Sequence, residues 1–504
     1  MEFSLFSRNN IAQGTAIALA PNTHDGAILL GECDKIFPGL IMGAASFGHL
    51  PAISIPSGPM PTGISNQQKK DARDSFKKGE ISLPQLQKTE NESYHAAGVC
   101  TFFGTANTNK AIAEAMGLVL PGSSFINPGT ALRDALTKDA VKRMVQGEIS
   151  PLADIIDERS FVNAIVVLMA MGGSTNHTMH IPAMAKHFGI EINWDDMSDI
   201  SDAVPLIANI YPNGKADIND FQRAGGMAVI IKNLIAAGCL HEDVNTIAGQ
   251  GLNRYSEIPK LDGYDVNWVE GPAESLDKDI IRTADDPFAP NGGIILVKGN
   301  LLGRAVTKTS AISNDNRKIS GKASVFNNEA ELHRAFTAWQ KKTIGQDTLT
   351  TEEIQQADML GGDDLVIVVR GQSPKDNGMP ELHKAISPLR ILQSAGKKVA
   401  LVTDGRLSGA SGTILAGIHL SGGDLFKVRD GDKITLDSIR GTLNIDIDAA
   451  EWAQRPVTEQ DNSLYQWGIG RQLFHLERLH ITSPEEGAIM PLPPIPEDFE
   501  YTAL

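Results

Sequence analysis

Asp364-Leu365-Val366-Ile367-Val368-Val369 and Lys398-Val399-Ala400-Leu401-Val402-Thr403 decide the fold class. Each is a short apolar run, rich in β-branched residues and set near Gly or Asp, the pattern of a buried strand. Gly293-Ile294-Ile295-Leu296-Val297 reads the same way, and the alternating runs Lys433 to Leu436 and Thr442 to Ile447 add two more strands. Upstream the period changes. Asn107 to Met116 and Asp157 to Met171 carry helical apolar spacing, each opening at a polar start. The apolar pattern breaks between about Ser310 and Glu331, at Asn314-Asp315-Asn316-Arg317-Lys318 and Gly321-Lys322. The expectation is an α/β chain. A large mixed α/β N-terminal domain, residues 1–322, precedes a smaller β-rich, β-barrel-like C-terminal domain, residues 323–504, with helices packed outside it. The proline-rich stretch from Pro491 to Pro496 predicts an extended tail laid over the surface.

The 504 residues are 41% hydrophobic and 21% charged, the composition of an ordinary globular protein. No apolar run approaches the roughly 20 residues that span a bilayer, and Met1 to Arg8 lacks the basic start, apolar centre and cleavage site of a secretory signal. A cytoplasmic location is therefore expected. The formal charge of -16 argues against nucleic acid or an acidic membrane as partner, because phosphate surfaces need a basic face. An anionic metabolite would still need local cations. The three cysteines, Cys33, Cys100 and Cys239, are odd in number and widely spaced, which fits a reducing compartment better than a disulfide framework.

Chemistry concentrates in a few segments. Gly31-Glu32-Cys33-Asp34-Lys35 sets a soft thiolate beside a hard carboxylate and an amine, so neighbouring residues could serve iron and a harder cation over one substrate; alone, such a trio reads as a buried Cys before a solvated turn. Cys100 stands in a Gly- and Thr-rich loop that feeds a helix, a geometry that predicts a lowered thiol pKa. Gly172-Gly173-Ser174-Thr175-Asn176-His177 offers hydroxyls, an amide and an imidazole for a polyhydroxylated ligand, although a lone His177 also reads as structural. Gly378-Met379-Pro380-Glu381 places a carboxylate just after a turn. Thr403-Asp404-Gly405-Arg406-Leu407-Ser408-Gly409 follows an apolar strand, so its backbone N–H groups can approach an anion, and Ser408 could act as a base beside a metal. Without such companions the loop reads as phosphate-binding or as a tight turn.

Taken in order, these segments, with Asn127-Pro128-Gly129-Thr130, Asp157 to Phe161 and Tyr211-Pro212-Asn213-Gly214-Lys215, resemble the dihydroxy-acid and sugar-acid dehydratases over nearly the whole chain. Ser46 to Pro51, Cys100 to Asn107 and Ser408 to Gly412 favour the phosphogluconate branch. The resemblance implies that Cys33 and Cys100 are thiolate ligands of an iron-sulfur cluster, 4Fe-4S in this branch and 2Fe-2S in some relatives. It places Asp34, Lys35 and Glu381 at a divalent-cation site for Mg or Mn, with the lysine carried as a carbamate in relatives, and makes Ser408 the base. Arg133, Arg159, Lys215, Arg304, Lys308 and Arg406 are the cations nearest the matching motifs, Arg406 foremost for phosphate; His177 and Lys215 join it as candidate substrate contacts. The implied reaction is the dehydration of 6-phospho-D-gluconate in the Entner-Doudoroff route, by a homodimeric enzyme.

Two departures qualify that expectation. Relatives carry a third cluster cysteine in an upstream Met-Cys-Asp-Gly segment, and this chain begins after that point; Cys239 lies outside the matching motifs and is expected in the core. Thr413 stands where the branch commonly has lysine. A dihydroxy-acid dehydratase of branched-chain amino-acid synthesis and a non-catalytic remnant of the fold are the alternative readings.

Overall fold

The structure is a computed structural model, and it describes residues 3–345, 349–407, 412–459 and 466–493. Two compact units emerge: one formed by 1–6, 73–80 and 294–491, the other by 7–72, 81–293 and 492–504.

The first unit is built on a closed barrel of eight strands. Its strands are β3 (Ile294–Gly299), β4 (Arg304–Lys308), β5 (Lys318–Phe326), β6 (Asp364–Val369), β7 (Lys398–Thr403), β8 (Leu415–Ser421), β9 (Lys433–Asp437) and β10 (Thr442–Ile445), numbered after a short pair, β1 (Ala27–Leu29) and β2 (Ala52–Ser54), in the other unit. Around the barrel they run β6-β7-β8-β4-β3-β10-β9-β5, and β5 closes on β6. β5, β6, β7 and β8 are mutually parallel; β8 meets β4, β4 meets β3, β10 meets β9 and β9 meets β5 antiparallel. Position 322, near which the sequence pattern breaks, lies inside β5, where Lys322 pairs with both Leu365 and Lys433.

Both faces of the central strands are buried, which is why they read as unbroken apolar runs. Along β6, Val366 and Val368 pack with Ala400, Val402, Ile434 and Leu436 in one core, while Leu365, Ile367 and Val369 join Leu332, Phe336, Leu389 and Leu392 from the helices Glu329–Thr343 and His383–Ser394 in a second. Closure leaves no edge strand to protect. Pro494 to Pro496 of the expected tail lie outside the described residues.

The second unit is mainly helical. It includes α1 (Phe6–Leu19, continuing from the other unit), α2 (Ile36–Ala45), α3 (Thr105–Ala115), α4 (Ala131–Val145), α5 (Glu158–Ala170) and α6 (His177–His187). Asp157 caps α5 by accepting from Ser160 N, and Ser160 Oγ lies 3.0 Å from Asp157 N, a reciprocal capping box that explains the polar start visible in the sequence. Every residue of α3 is buried, including Asn107, Thr108, Asn109, Lys110 and Glu114. A helix that hides six polar side chains, Thr105 among them, must supply each with partners, and those partners lead to the site. Among the described residues no helix is long and apolar enough to cross a membrane.

Candidate functional site

β1 and β2 are parallel neighbours joined through α2, so residues 30–35 form the loop at the carboxyl end of β1, where α/β units gather ligands. Glu32 ties this loop down. Its Oε1 accepts from Gly58 N at 2.6 Å and its Oε2 from Ser57 Oγ at 2.9 Å. Gly58 has φ +91°, and a Cβ there would lie 1.8 Å from Ile126 O, so glycine alone fits. Its own carbonyl accepts from Val99 N at 3.1 Å, and Met60 N donates to Val99 O at 2.9 Å. The segment 58–60 therefore links the neighbour of Cys33 to the neighbour of Cys100.

Helix α3 links them again. Asn107 Nδ2 donates to the carbonyls of Cys100 and Phe102 at 2.8 and 2.7 Å. Asn109 Nδ2 points at the carbonyls of Glu32, Cys33 and Asp34 at 3.1, 3.3 and 3.3 Å. The two thiols are near enough to oppose each other's ionisation: burial and then Cys33 push the Cys100 thiol up to about 11. The lowering expected from the following helix does not occur. Gly104, the helix N-cap, stands four residues on, and the pull of a helix terminus fades within a turn while burial acts on the sulfur directly. Lys110 is buried, with Nζ 4.0 Å from Glu32 Oε1; burial pushes its ammonium down to about 8, against the upward pull of Glu32 and both cysteines.

Two thiols that resist joint ionisation, beside a buried amine, suit a bound positive centre, since ligation removes both protons and their repulsion together. Among the described residues no three His, Cys, Asp or Glu side chains stand together in a group that could hold a metal ion. Cys239, expected in the core, is instead partly exposed, just beyond the helix Gly226–Ala236, with Sγ 3.8 Å from Ala237 O. Burial alone raises its thiol pKa.

Asp34 is buried beside exposed Cys33. Its Oδ2 accepts from Lys35 Nζ at 2.9 Å, and its Oδ1 lies 2.9 Å from His180 Nε2 and 3.4 Å from Asn176 Nδ2. A carboxylate oxygen that already faces a positive charge suits a divalent cation. As an ammonium Lys35 competes for that place, whereas as a carbamate it would offer oxygen ligands instead. His177 is fully buried, its Nε2 2.9 Å from Asn109 Oδ1, and burial followed by His180 pushes its imidazole down to about 3. Lys215 is exposed, on a loop held beside the Cys100 segment by Phe103 N donating to Tyr211 O and Ile218 N to Thr101 O, both at 2.8 Å.

The barrel unit holds the remaining candidates. Gly378 and Met379 both have positive φ, 63° and 53°, and turn the chain so that Glu381 bridges to Arg406. Arg406 is fully buried; it donates to Glu381 Oε1 at 2.9 Å, Met379 O at 2.8 Å and Ser4 Oγ at 3.0 Å. It thus orients the carboxylate through a charge-assisted bond. Asp404 accepts from Gly371 N and Gln372 N, both at 3.0 Å, and burial pushes its carboxyl up to about 7. Ser408 lies outside the described residues. Arg133 is bonded to Ile126 O and Ser123 O, Arg159 to Asp157 and Asp243, and Arg304 to Glu485.

Reading the sequence by motif passed over Asn109, His180, Glu32 and Gly58. The available signal was polarity crowded into one helix, two asparagines with two threonines, a lysine and a glutamate among alanines, and a second histidine one turn after His177.

Known proteins resemble this chain over most of its length. Residues 1–255 match the dihydroxy-acid/6-phosphogluconate dehydratase N-terminal family and residues 279–488 the corresponding C-terminal family. The chain belongs to the dihydroxy-acid/6-phosphogluconate dehydratase family. It is 48% identical to the phosphogluconate dehydratase of Pseudomonas aeruginosa, over 97% of this chain and 78% of that protein. The phosphogluconate dehydratase of Escherichia coli K12 is also 48% identical, over 97% and 79%. A dihydroxy-acid dehydratase from Caldanaerobacter subterraneus is 34% identical, over 90% and 78%.

Proposed function

We propose that this protein is a hydro-lyase that converts 6-phospho-D-gluconate to 2-dehydro-3-deoxy-6-phospho-D-gluconate, as a cytoplasmic homodimer. The likeness to named phosphogluconate dehydratases at 44 to 48% identity, against 34% to a dihydroxy-acid dehydratase, supports the substrate. The observation that carries the chemistry is the convergence of the Cys33 and Cys100 segments on α3, with Asp34 and Lys35 alongside.

Cys33 and Cys100 would hold an iron-sulfur cluster, of the 4Fe-4S type, and Asp34, Lys35 as a carbamate, and Glu381 a divalent cation, Mg or Mn. When bound, these groups supply Lewis acidity toward a hydroxyl that leaves poorly and a C2 proton that is otherwise weakly acidic. The chain does the rest. Ser408, as alkoxide, takes the C2 proton; the C3–O bond breaks as the C2=C3 bond forms, the proton held by the serine passes to the departing hydroxide to make water, and the enol tautomerises to the ketone. Arg406 holds Glu381 in register, and Lys215, exposed on its loop, meets the phosphate. His177 acts behind the site, through Asn109, on the backbone of the Cys33 loop.

The test is keto-acid formation by the purified chain after anaerobic reconstitution with iron, sulfide and Mn2+, comparing 6-phosphogluconate with 2,3-dihydroxyisovalerate. Turnover of the first is expected. Preference for the second, or reconstituted iron without turnover of either, would overturn the assignment.

A further inference from the structure

Behind the Cys33 loop stands a line of buried polar groups that the chemistry above does not use. Arg8, on α1, is fully buried, and its Nη1 lies 3.1 Å from His180 Nδ1. Its Nε and Nη2 both donate to Asn9 Oδ1, at 3.2 and 3.1 Å, which fixes the plane of the guanidinium. His180, on α6, is also fully buried, with Nε2 2.9 Å from Asp34 Oδ1.

The direction of the line follows from donor chemistry. A guanidinium has no acceptor, so His180 Nδ1 must accept from Arg8; the single ring proton of the neutral imidazole then sits on Nε2 and is donated to Asp34. The neighbouring ring of His177 packs edge-on against His180, centroids 5.8 Å apart and planes at 90°, which blocks rotation. One oxygen of Asp34 is thus pinned from behind, and the other is turned toward Lys35. A buried arginine needs negative charge nearby, and the Asp34 carboxylate stands one imidazole away from Arg8.

We propose that Arg8 and His180 form a positioning relay that fixes the tautomer of His180 and through it the orientation of Asp34 as a cation ligand. Neither residue touches substrate or metal. The proposal rests on the reading of Asp34 as a cation ligand, and the two are separable by experiment.

Mn2+ affinity of the full chain, measured from the free-ion paramagnetic resonance signal, needs no turnover. H180F removes acceptor and donor and is expected to weaken Mn2+ binding about 10- to 100-fold, the usual effect of losing a partner behind a ligand. In H180Q the amide can accept from Arg8 and donate to Asp34, and affinity should return to within about threefold of wild type. R8M should fall between the two, and R8K nearer to wild type. H180F or R8M that fold, by circular dichroism, and bind Mn2+ within twofold of wild type would overturn the relay. So would H180Q as weak as H180F, since the ring's volume and not its hydrogen bonds would then matter. If H180F does not fold, the R8M and H180Q comparison decides. A wild-type chain that binds no Mn2+ overturns the cation reading itself, and the relay with it.

Discussion

Replacing Asn109 by alanine tests whether α3 holds the Cys33 loop. The three carbonyls facing Asn109 Nδ2 fix the orientation of its amide, so Oδ1 faces His177 Nε2 at 2.9 Å and that nitrogen donates. N109A leaves a fully buried imidazole N–H without an acceptor and a set of carbonyls without a donor. Only the bond to Glu32 O, at 3.1 Å, is short; those to Cys33 and Asp34 share one amide at 3.3 Å, so the set counts as about one good bond rather than three. Each buried polar group left unsatisfied costs about 1–3 kcal/mol, and two of them give a loss of about 3 kcal/mol. If that loss falls on local opening of the loop, amide exchange there should speed up by roughly 100-fold, at about 1.4 kcal/mol per tenfold. Hydrogen–deuterium exchange of a peptide covering residues 30–40 reads it, because Ile36 N and Gly39 N are bonded to Cys33 O and Lys35 O at 2.8 and 3.1 Å. Peptides from β6 should not change. A folded N109A whose 30–40 peptide exchanges within about threefold of wild type would refute the clamp, on the same conversion.

Three further outcomes follow from the same packing. Gly58→Ala forces a Cβ to 1.8 Å from Ile126 O at a φ of +91°, so the 58–60 segment must move; lower soluble yield and faster exchange in both the 30–40 and 96–104 peptides are expected, with wild-type behaviour counting against the joint. Glu114 is fully buried, with Oε1 accepting from Gly122 N at 2.7 Å, and burial raises its carboxyl from 4.5 to about 7. The folded form therefore holds its proton more tightly than the unfolded form, and the stability this gives is complete below pH 4.5 and lost as pH rises through about 7. Glu114→Gln should flatten that fall, by on the order of 3 kcal/mol between pH 5 and 8, in urea midpoints taken across the range; an unchanged slope sinks the assignment. Leu436→Ala, at a fully buried barrel position, should cost about 2–5 kcal/mol in the unfolding of the barrel unit without altering the 30–40 peptide.

Legibility in the sequence followed the range of the forces involved. β6 and β7 match the expected runs residue for residue, because burial on both faces writes a continuous apolar signal into the local sequence. The start of α5 was equally plain, since Asp157 and Ser160 cap each other across three residues. α3 begins two residues before the expected Asn107, at Thr105 after Gly104, where the cap offers no side-chain signal. Closure of the barrel was beyond any local pattern. It needs β8 to meet β4 across more than a hundred residues, and β10 to meet β3, so strands on both sides of position 322 share one sheet. The Cys100 thiol was misjudged for a related reason: the approaching helix is visible in sequence, whereas the depth of burial and the nearness of Cys33 are not.

The polarity of α3 explains why the site is distributed as it is. Asn107, Thr108, Asn109, Lys110 and Glu114 are buried at positions where leucine or alanine would make a more stable helix. A fold that retains them gains something other than stability. Asn107 and Asn109 take the backbone of the Cys100 and Cys33 segments, and Lys110 offsets the charge of Glu32. One rigid element thereby sets the spacing of two loops that are 67 residues apart in the chain. Loops hung separately on the surface would each move on their own timescale, and paired thiols would lose their register with Asp34. Supports drawn from one helix make Cys33, Asp34 and Cys100 shift together or not at all, so substitutions within α3 should disturb thiol spacing and carboxylate orientation in the same step.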